Sequence, residues 1–317
     1  MVRMARLALA MLLVGAAPAE VASGIFRKWA ASDRMPLDFT SDGIRIHVAA
    51  LPCPPDEHTD TTCSWEGYNN RAAVTVTAPG MVPVTIKTGR AGAYARLAVV
   101  RFDMRDPRPG VIVESQSGGS GGDLTVQLLV PQGRSFRTLA FGEERVDHVQ
   151  GEISDYPRDL SGDGRIDLVL TDGNFDSVFG CNACTPRPPR ILTVRNGKVV
   201  DESRDAALRP VFLAHMALLA PLCRTDESDR NGACAAYVAD AARAGRFATA
   251  WKMMLRHYER GKDVAQVCSV PTSAETHYRC PEGHETHYRD FPDSLRAFLT
   301  RAGYLPLSSP ARSRQAH

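Results

Sequence analysis

Beyond its first twenty residues the chain lacks an apolar run long enough to cross a bilayer. A membrane helix needs roughly 18 consecutive apolar residues, and the best candidate, 211–222, is interrupted by His215 and Pro221. An excess of one charge is lacking too. Against 38 Lys and Arg stand 36 Asp and Glu, a net +2 at pH 7, and the arginines are scattered, so neither nucleic acid nor an anionic membrane surface finds an electrostatic footprint. No Gly-rich loop leads into a helix with Lys, and no spaced carboxylate pair offers an acid and a base. His284-Glu285-Thr286-His287 sets its histidines three apart, not the four of a zincin helix. Gly118-Gly119-Ser120-Gly121-Gly122 matches a nucleophile elbow in letters only. Such an elbow follows a strand and opens a helix, whereas Leu124–Leu128 reads as another strand. These absences favour a non-catalytic chain.

What is present begins with a leader. Arg3 and Arg6 precede an apolar stretch from Leu7 to Ala16, and Ala17 and Ala19 bracket Pro18 in an A-x-A-like pattern, which predicts a signal peptide over 1–19. Export to a periplasmic or secreted location then explains the eight cysteines, at 53, 63, 181, 184, 223, 234, 268 and 280. Nearest-neighbour bridges, Cys53 to Cys63, Cys181 to Cys184, Cys223 to Cys234 and Cys268 to Cys280, are the simplest connectivity, although sequence alone leaves the other pairings open.

Two kinds of periodicity divide the rest. Residues 20–42 read as a linker. From 43 to 203 the pattern is strand-like: Ile44, Ile46 and Val48 alternate with polar neighbours, and Ala73–Thr77, a Pro79-Gly80 turn and Val82–Lys87 form a hairpin. From 204 to 305 the apolar spacing becomes three and four, predicting helices over Ala206–Leu222, Ala233–Tyr258 and Pro292–Ala302. The tail from 306 is rich in Ser, Arg and Pro and reads as disordered. The predicted class is α+β, an antiparallel β-domain followed by a disulfide-linked helical domain.

One stretch carries chemistry: Asp159-x-Ser161-x-Asp163-Gly164-Arg165-x-Asp167. Alternate side-chain oxygens, with the Arg165 carbonyl, can wrap a hard cation, and Gly164 permits the turn that aims them inward. Ca²⁺ suits a flexible loop with several carboxylates better than Mg²⁺, which keeps more water. The competing reading is a metal-free, Asx-rich turn.

The stretch Asp159–Val169 resembles the calcium loop of FG-GAP or VCBS-type repeats, the blade-forming repeats of integrin-like β-propellers. The resemblance implies a loop between two blade strands and an ion held by Asp159, Ser161, Asp163 and Asp167 with the Arg165 carbonyl. Ser161 departs from the more usual Asp or Asn. A degenerate first copy covers Val99–Val113, where Met104 and Arg105 occupy ligand positions. The expected protein is thus an exported, non-catalytic calcium binder with a binding or structural role in the cell envelope, facing a protein or saccharide partner. The alternative is an envelope hydrolase or thiol oxidoreductase working through Cys181 and Cys184 or through the His277–His287 loop.

Overall fold

The computed structural model describes residues 18–30, 35–51, 71–88, 94–116, 124–142, 149–181, 185–225, 228–264, 267–268 and 280–306. The leader up to Ala17, the Cys53 and Cys63 pair, the glycine run 118–122, Cys184, His277 and the tail from 307 lie outside them.

Three sheets carry the β part. The first orders its strands β1 (Ala19–Glu20), β3 (Leu37–Ser41), β4 (Ile44–Ala50), β5 (Ala72–Thr77) and β6 (Val84–Lys87). Only β1 and β3 run parallel. The second is fully antiparallel, with β2 (Arg27–Ala30) at one edge, then β7 (Tyr94–Val100), β8 (Gly110–Gln116), β9 (Leu124–Gln132) and β10 (Ser135–Phe141). The third joins β11 (Val149–Gln150), β12 (Leu168–Asp172), β13 (Pro189–Arg195) and β14 (Lys198–Asp201).

The sheets stack face to face, and the two-residue alternation of a strand decides which side chain serves which core. On the second sheet Leu97, Val99, Val111 and Val113 point to the first sheet, where they meet Phe39, Ile46, Val48 and Val74. Ala98, Val100, Ile112 and Leu128 point the other way, onto Leu168, Leu170 and Leu192 of the third. The middle sheet is therefore apolar on both faces, and every residue of β8 is buried. The third sheet is also covered twice, because Ile191 belongs to the core shared with the helices.

The predicted linker is corrected here: β1, β2 and β3 fall within 20–42 or at its edge, and Trp29 and Phe39 are core residues. Trp, Phe and their neighbours were too few in any one strand to show alternation. The hairpin at Pro79-Gly80 forms as expected, between β5 and β6, with Gly80 at φ +72°.

The helical part, α1 (Arg209–Thr225), α2 (Arg230–Arg243), α3 (Phe247–His257) and α4 (Phe291–Arg301), packs against the third sheet. A small hairpin of β15 (Val267–Cys268) and β16 (Glu285–Thr286) lies between α3 and α4 in sequence. The expected single helix over 233–258 is two. Gly245 at φ +71° ends α2, and the Arg246 N–H reaches back to the Ala241 carbonyl at 2.7 Å, the six-residue closure that a left-handed glycine permits. Small side chains such as Ala235, Ala236 and Ala239 let α2 sit buried among its neighbours. Segment Ala206–Thr225 is by length and composition apolar enough to cross a membrane, despite His215 and Pro221. In this fold it packs through Phe212, Met216, Leu219 and Cys223 and leaves Leu213, Leu218 and Leu222 exposed. Cys223 and Cys234 are bonded and tie α1 to α2, as nearest-neighbour pairing expects. Cys181 and Cys280 are disulfide-bonded as well. The whole is α+β, β part first.

Candidate metal centre at the acidic loop

The acidic loop forms the entry to β12. A β-bridge between Arg158 and Asp167 closes it, with the Asp167 N–H donating to the Arg158 carbonyl at 2.8 Å. Between these posts the chain turns through Gly162 at φ +80° and Gly164 at φ +87°, a backbone that other L-residues rarely adopt. The turn presents successive N–H groups inward, and two carboxylates collect them. Asp159 accepts from the N–H of Gly162 at 2.6 Å, Asp163 at 3.1 Å and Gly164 at 2.8 Å. Asp167 accepts from Leu160 at 2.7 Å and Ser161 at 2.9 Å, both on Oδ2. The Ser161 hydroxyl lies 3.4 Å from Asp159.

Asp167 is 2 % exposed, and its second oxygen, Oδ1, is buried without a hydrogen-bond donor. Burial raises its pKa above the usual carboxylate value, the two backbone amides oppose this, and the charges of Asp159 and Asp163 add to it. Asp163 has the opposite fate. Burial pushes it up, but donors win and its net shift is downward: the Arg165 N–H at 2.9 Å, the Arg165 guanidinium at 2.9 Å and the Arg195 guanidinium at 2.8 Å. Arg195 also contacts Glu202.

The turn of the degenerate first copy lies against this loop. Asp103 and Arg165 form a β-bridge, flanked by the Met104 N–H on the Gly164 carbonyl at 2.8 Å. A forked Arg105 guanidinium holds the Asp103 carboxylate, at 2.8 Å to each oxygen, and pulls its pKa down to about 2. All five sequence-predicted residues, Asp159, Ser161, Asp163, Arg165 and Asp167, thus share one turn. Sequence reasoning missed Asp103 as a neighbour across the sheets, and missed Arg195, which β13 delivers from 32 residues downstream; no local spacing marks it.

An ion test on these atoms divides. The donors are all oxygen, as a hard cation requires, and the orphaned Asp167 Oδ1 is an acceptor that a cation would satisfy. Asp163 fits less well, since guanidinium groups already occupy its carboxylate. Among the described residues no group of three or more His, Cys, Asp and Glu side chains closes into a metal cage.

The other candidate sites separate. Cys181 is already bonded, and His287 lies on the surface 3.8 Å from Glu285. A further buried acid, Asp240 on α2, accepts from His215 Nδ1 at 2.6 Å; burial raises its pKa to about 6, with His215 opposing.

Similarity to known proteins covers the helical part in one comparison and most of the chain in two others. A family model described as the sll0997 C-terminal domain matches residues 213–303. The probable thylakoid lumen protein sll0997 of Synechocystis is 27 % identical over 216 residues, covering 67 % of this chain and 61 % of the relative. An uncharacterized protein of Sinorhizobium fredii, y4bJ, is 23 % identical over 294 residues, 87 % of this chain and 42 % of the relative. The chain thus spans about three fifths and two fifths of the lengths of these relatives. No solved structure matches significantly.

Proposed function

We propose that the chain is an exported, non-catalytic calcium-binding protein with a binding or structural role in the envelope, whose β part offers its loops to a protein or saccharide partner. The observation that carries the calcium reading is Asp167 Oδ1, a buried carboxylate oxygen without a donor, on a side chain whose other oxygen takes two backbone N–H groups of the same turn. Leaving such a group unsatisfied costs about 1–3 kcal/mol, which a bound cation would recover. Export is supported by the leader pattern and by similarity to a lumen protein, since lumen and periplasm are both reached across a membrane.

Melting curves in chelator and in millimolar Ca²⁺ test the reading. An ion that binds only the native state stabilises it by about 2.7 kcal/mol at a hundredfold excess over its dissociation constant. Wild type should therefore melt higher with Ca²⁺, and Asp167→Asn should lose the increment. Identical wild-type curves in both buffers would sink the calcium reading.

A second reading, a turn held by ion pairs alone, is favoured by the grip of Arg165 and Arg195 on Asp163. Arg195→Gln separates the two. It leaves Asp163 Oδ2 with Arg165 as its remaining guanidinium partner, so it tightens Ca²⁺ binding if the loop takes an ion, and under the ion-pair reading it only loosens the loop.

A further inference from the structure

A second charged cluster lies in the helical part, where the start of α1 meets the ends of α2 and α4. A cavity of about 700 Å³ opens there, lined by Arg204, Arg209, Arg243 and Arg301 together with Tyr304 and Leu305. Among the described residues no carboxylate lines it. Among them, too, none of the four arginines forms a salt bridge, although Asp201 and Asp172 stand near enough to Arg243 to favour its charge. The contrast with other arginines is direct: in the cavity beside β10 and β14, Arg190 is met by Asp201 at 3.1 Å.

Two of the guanidinium groups converge instead on one neutral atom. Arg204 donates to the Gly303 carbonyl at 2.7 Å and Arg243 donates to the same oxygen at 3.2 Å. Gly303, at φ +75°, allows this approach, since a Cβ there would stand 2.8 Å from an Arg204 nitrogen. Arg243 is further fixed by stacking on the Tyr304 ring at 4.3 Å, and that ring is anchored by its hydroxyl to Asp172 at 2.8 Å. The Arg243 Nε is buried without an acceptor. Burial disfavours its charged form and outweighs Tyr304, Asp201 and Asp172, which favour it, while the neighbouring Arg204 charge adds to the burial effect.

Arg243 and Arg301 can be ascribed in part to the negative ends of α2 and α4. That account fails for Arg209, which opens α1 at the positive end of a helix whose first turn carries no acid. Four like charges at one cavity repel one another, and a single anion among them offsets that repulsion. A carboxylate is planar and carries one charge. A dianionic phosphate presents oxygens in several directions to guanidinium forks arriving from three elements. The cavity exceeds what a bare phosphate fills, and Leu305 and the Tyr304 ring supply apolar wall for an organic remainder.

We propose that this cavity binds a phosphate monoester, with Arg204, Arg209, Arg243 and Arg301 holding the phosphate group.

The chemistry is shared by a soluble phosphate ester and by a lipid headgroup, so the test has two arms, both in chelator to keep it independent of the acidic loop. Glycerol phosphate is titrated calorimetrically into the full chain at fixed ionic strength, with sodium sulfate and succinate as controls. In parallel, vesicles containing phosphatidic acid are compared with neutral vesicles by co-sedimentation. Saturable binding of glycerol phosphate assigns the site to a soluble ester. Sedimentation with phosphatidic acid vesicles alone assigns it to a headgroup. The double variant Arg209→Gln with Arg301→Gln alters two exposed side chains, and its fold is checked by melting. It should weaken whichever binding is seen by about tenfold or more, the loss expected for charge-assisted hydrogen bonds. Binding in neither arm, equal binding of succinate or sulfate, or an unchanged affinity in the folded variant overturns the proposal.

Discussion

The acidic loop and the arginine cavity are both dense in charge, yet they are settled in opposite ways. In the β part Asp159 and Asp167 collect five backbone N–H groups between them and Asp163 and Asp103 hold arginines. Nearly every charge there is spent on shaping the turn. In the helical part four arginines line one cavity, two of them meeting a carbonyl and one an aromatic ring. A cluster whose charges are satisfied from within holds a fold, whereas a cluster with charge left over has its counterion outside the chain. The loop retains one unsatisfied atom, Asp167 Oδ1, and that atom alone keeps it in the company of ligand sites.

The largest expected effect breaks the loop. Asp159→Ala leaves the N–H groups of Gly162, Asp163 and Gly164 without their acceptor. At about 1 kcal/mol for each hydrogen bond, urea denaturation should show a loss of roughly 3 kcal/mol. A loss below about 1 kcal/mol would mean that water replaces the carboxylate and that the turn is not held from within.

Acid should separate the two regions with an effect no larger than this. Asp103 is held down to about 2 by Arg105, so its contribution is present above the ordinary carboxylate value of 3.8 and is lost as pH falls from there toward 2. Asp240 is raised to about 6 by burial. Its folded form binds a proton more readily than its unfolded form, so its contribution is complete below 3.8 and is lost as pH rises through 6. At about 1.36 kcal/mol per pH unit the shift corresponds to about 3 kcal/mol. Stability in chelator should accordingly decline from pH 4 to pH 7, with Glu114 on β8, which burial raises to about 7, contributing to the same decline, and Asp240→Asn should make it shallower. An Asp240→Asn profile that falls as steeply as wild type would remove Asp240 as its cause.

The sequence displayed the acidic loop because every one of its own ligating candidates lies within nine residues, and a turn is a local object. Strand alternation likewise showed β4, β5 and the β5–β6 hairpin, where one face is buried and the other is not. It was less informative for β8, buried along its whole length, since a strand covered on both faces has no alternation to read. Residues 20–42 read as a linker because each strand there is short and owes its place to a partner strand, Trp29 facing Ala95 on β7 and Phe39 facing Ile46 on β4. The break between α2 and α3 was in principle legible at Gly245, but the apolar stripe ran on across it. Arg195 and the arginine cavity were invisible for one reason: their members come from separate elements, and scattered arginines in sequence are compatible with clustered arginines in space.

The smallest expected effect sharpens the comparison most. Arg209→Gln removes one of the four unneutralised charges without touching a carboxylate, and the side chain is exposed. Exposed substitutions ordinarily stay within about 0.5 kcal/mol. Here the sign carries the information. If the arginines repel one another in the ligand-free chain, the variant should be equal to wild type or slightly more stable at low salt, and the difference should shrink as added salt screens the cluster. The equivalent removal in the loop, Arg195→Gln, should destabilise, because Asp163 and Glu202 then lose a partner. A measured loss at Arg209 equal to that at Arg195 would mean that both clusters are structural, and the distinction between spent and unspent charge would fall with it.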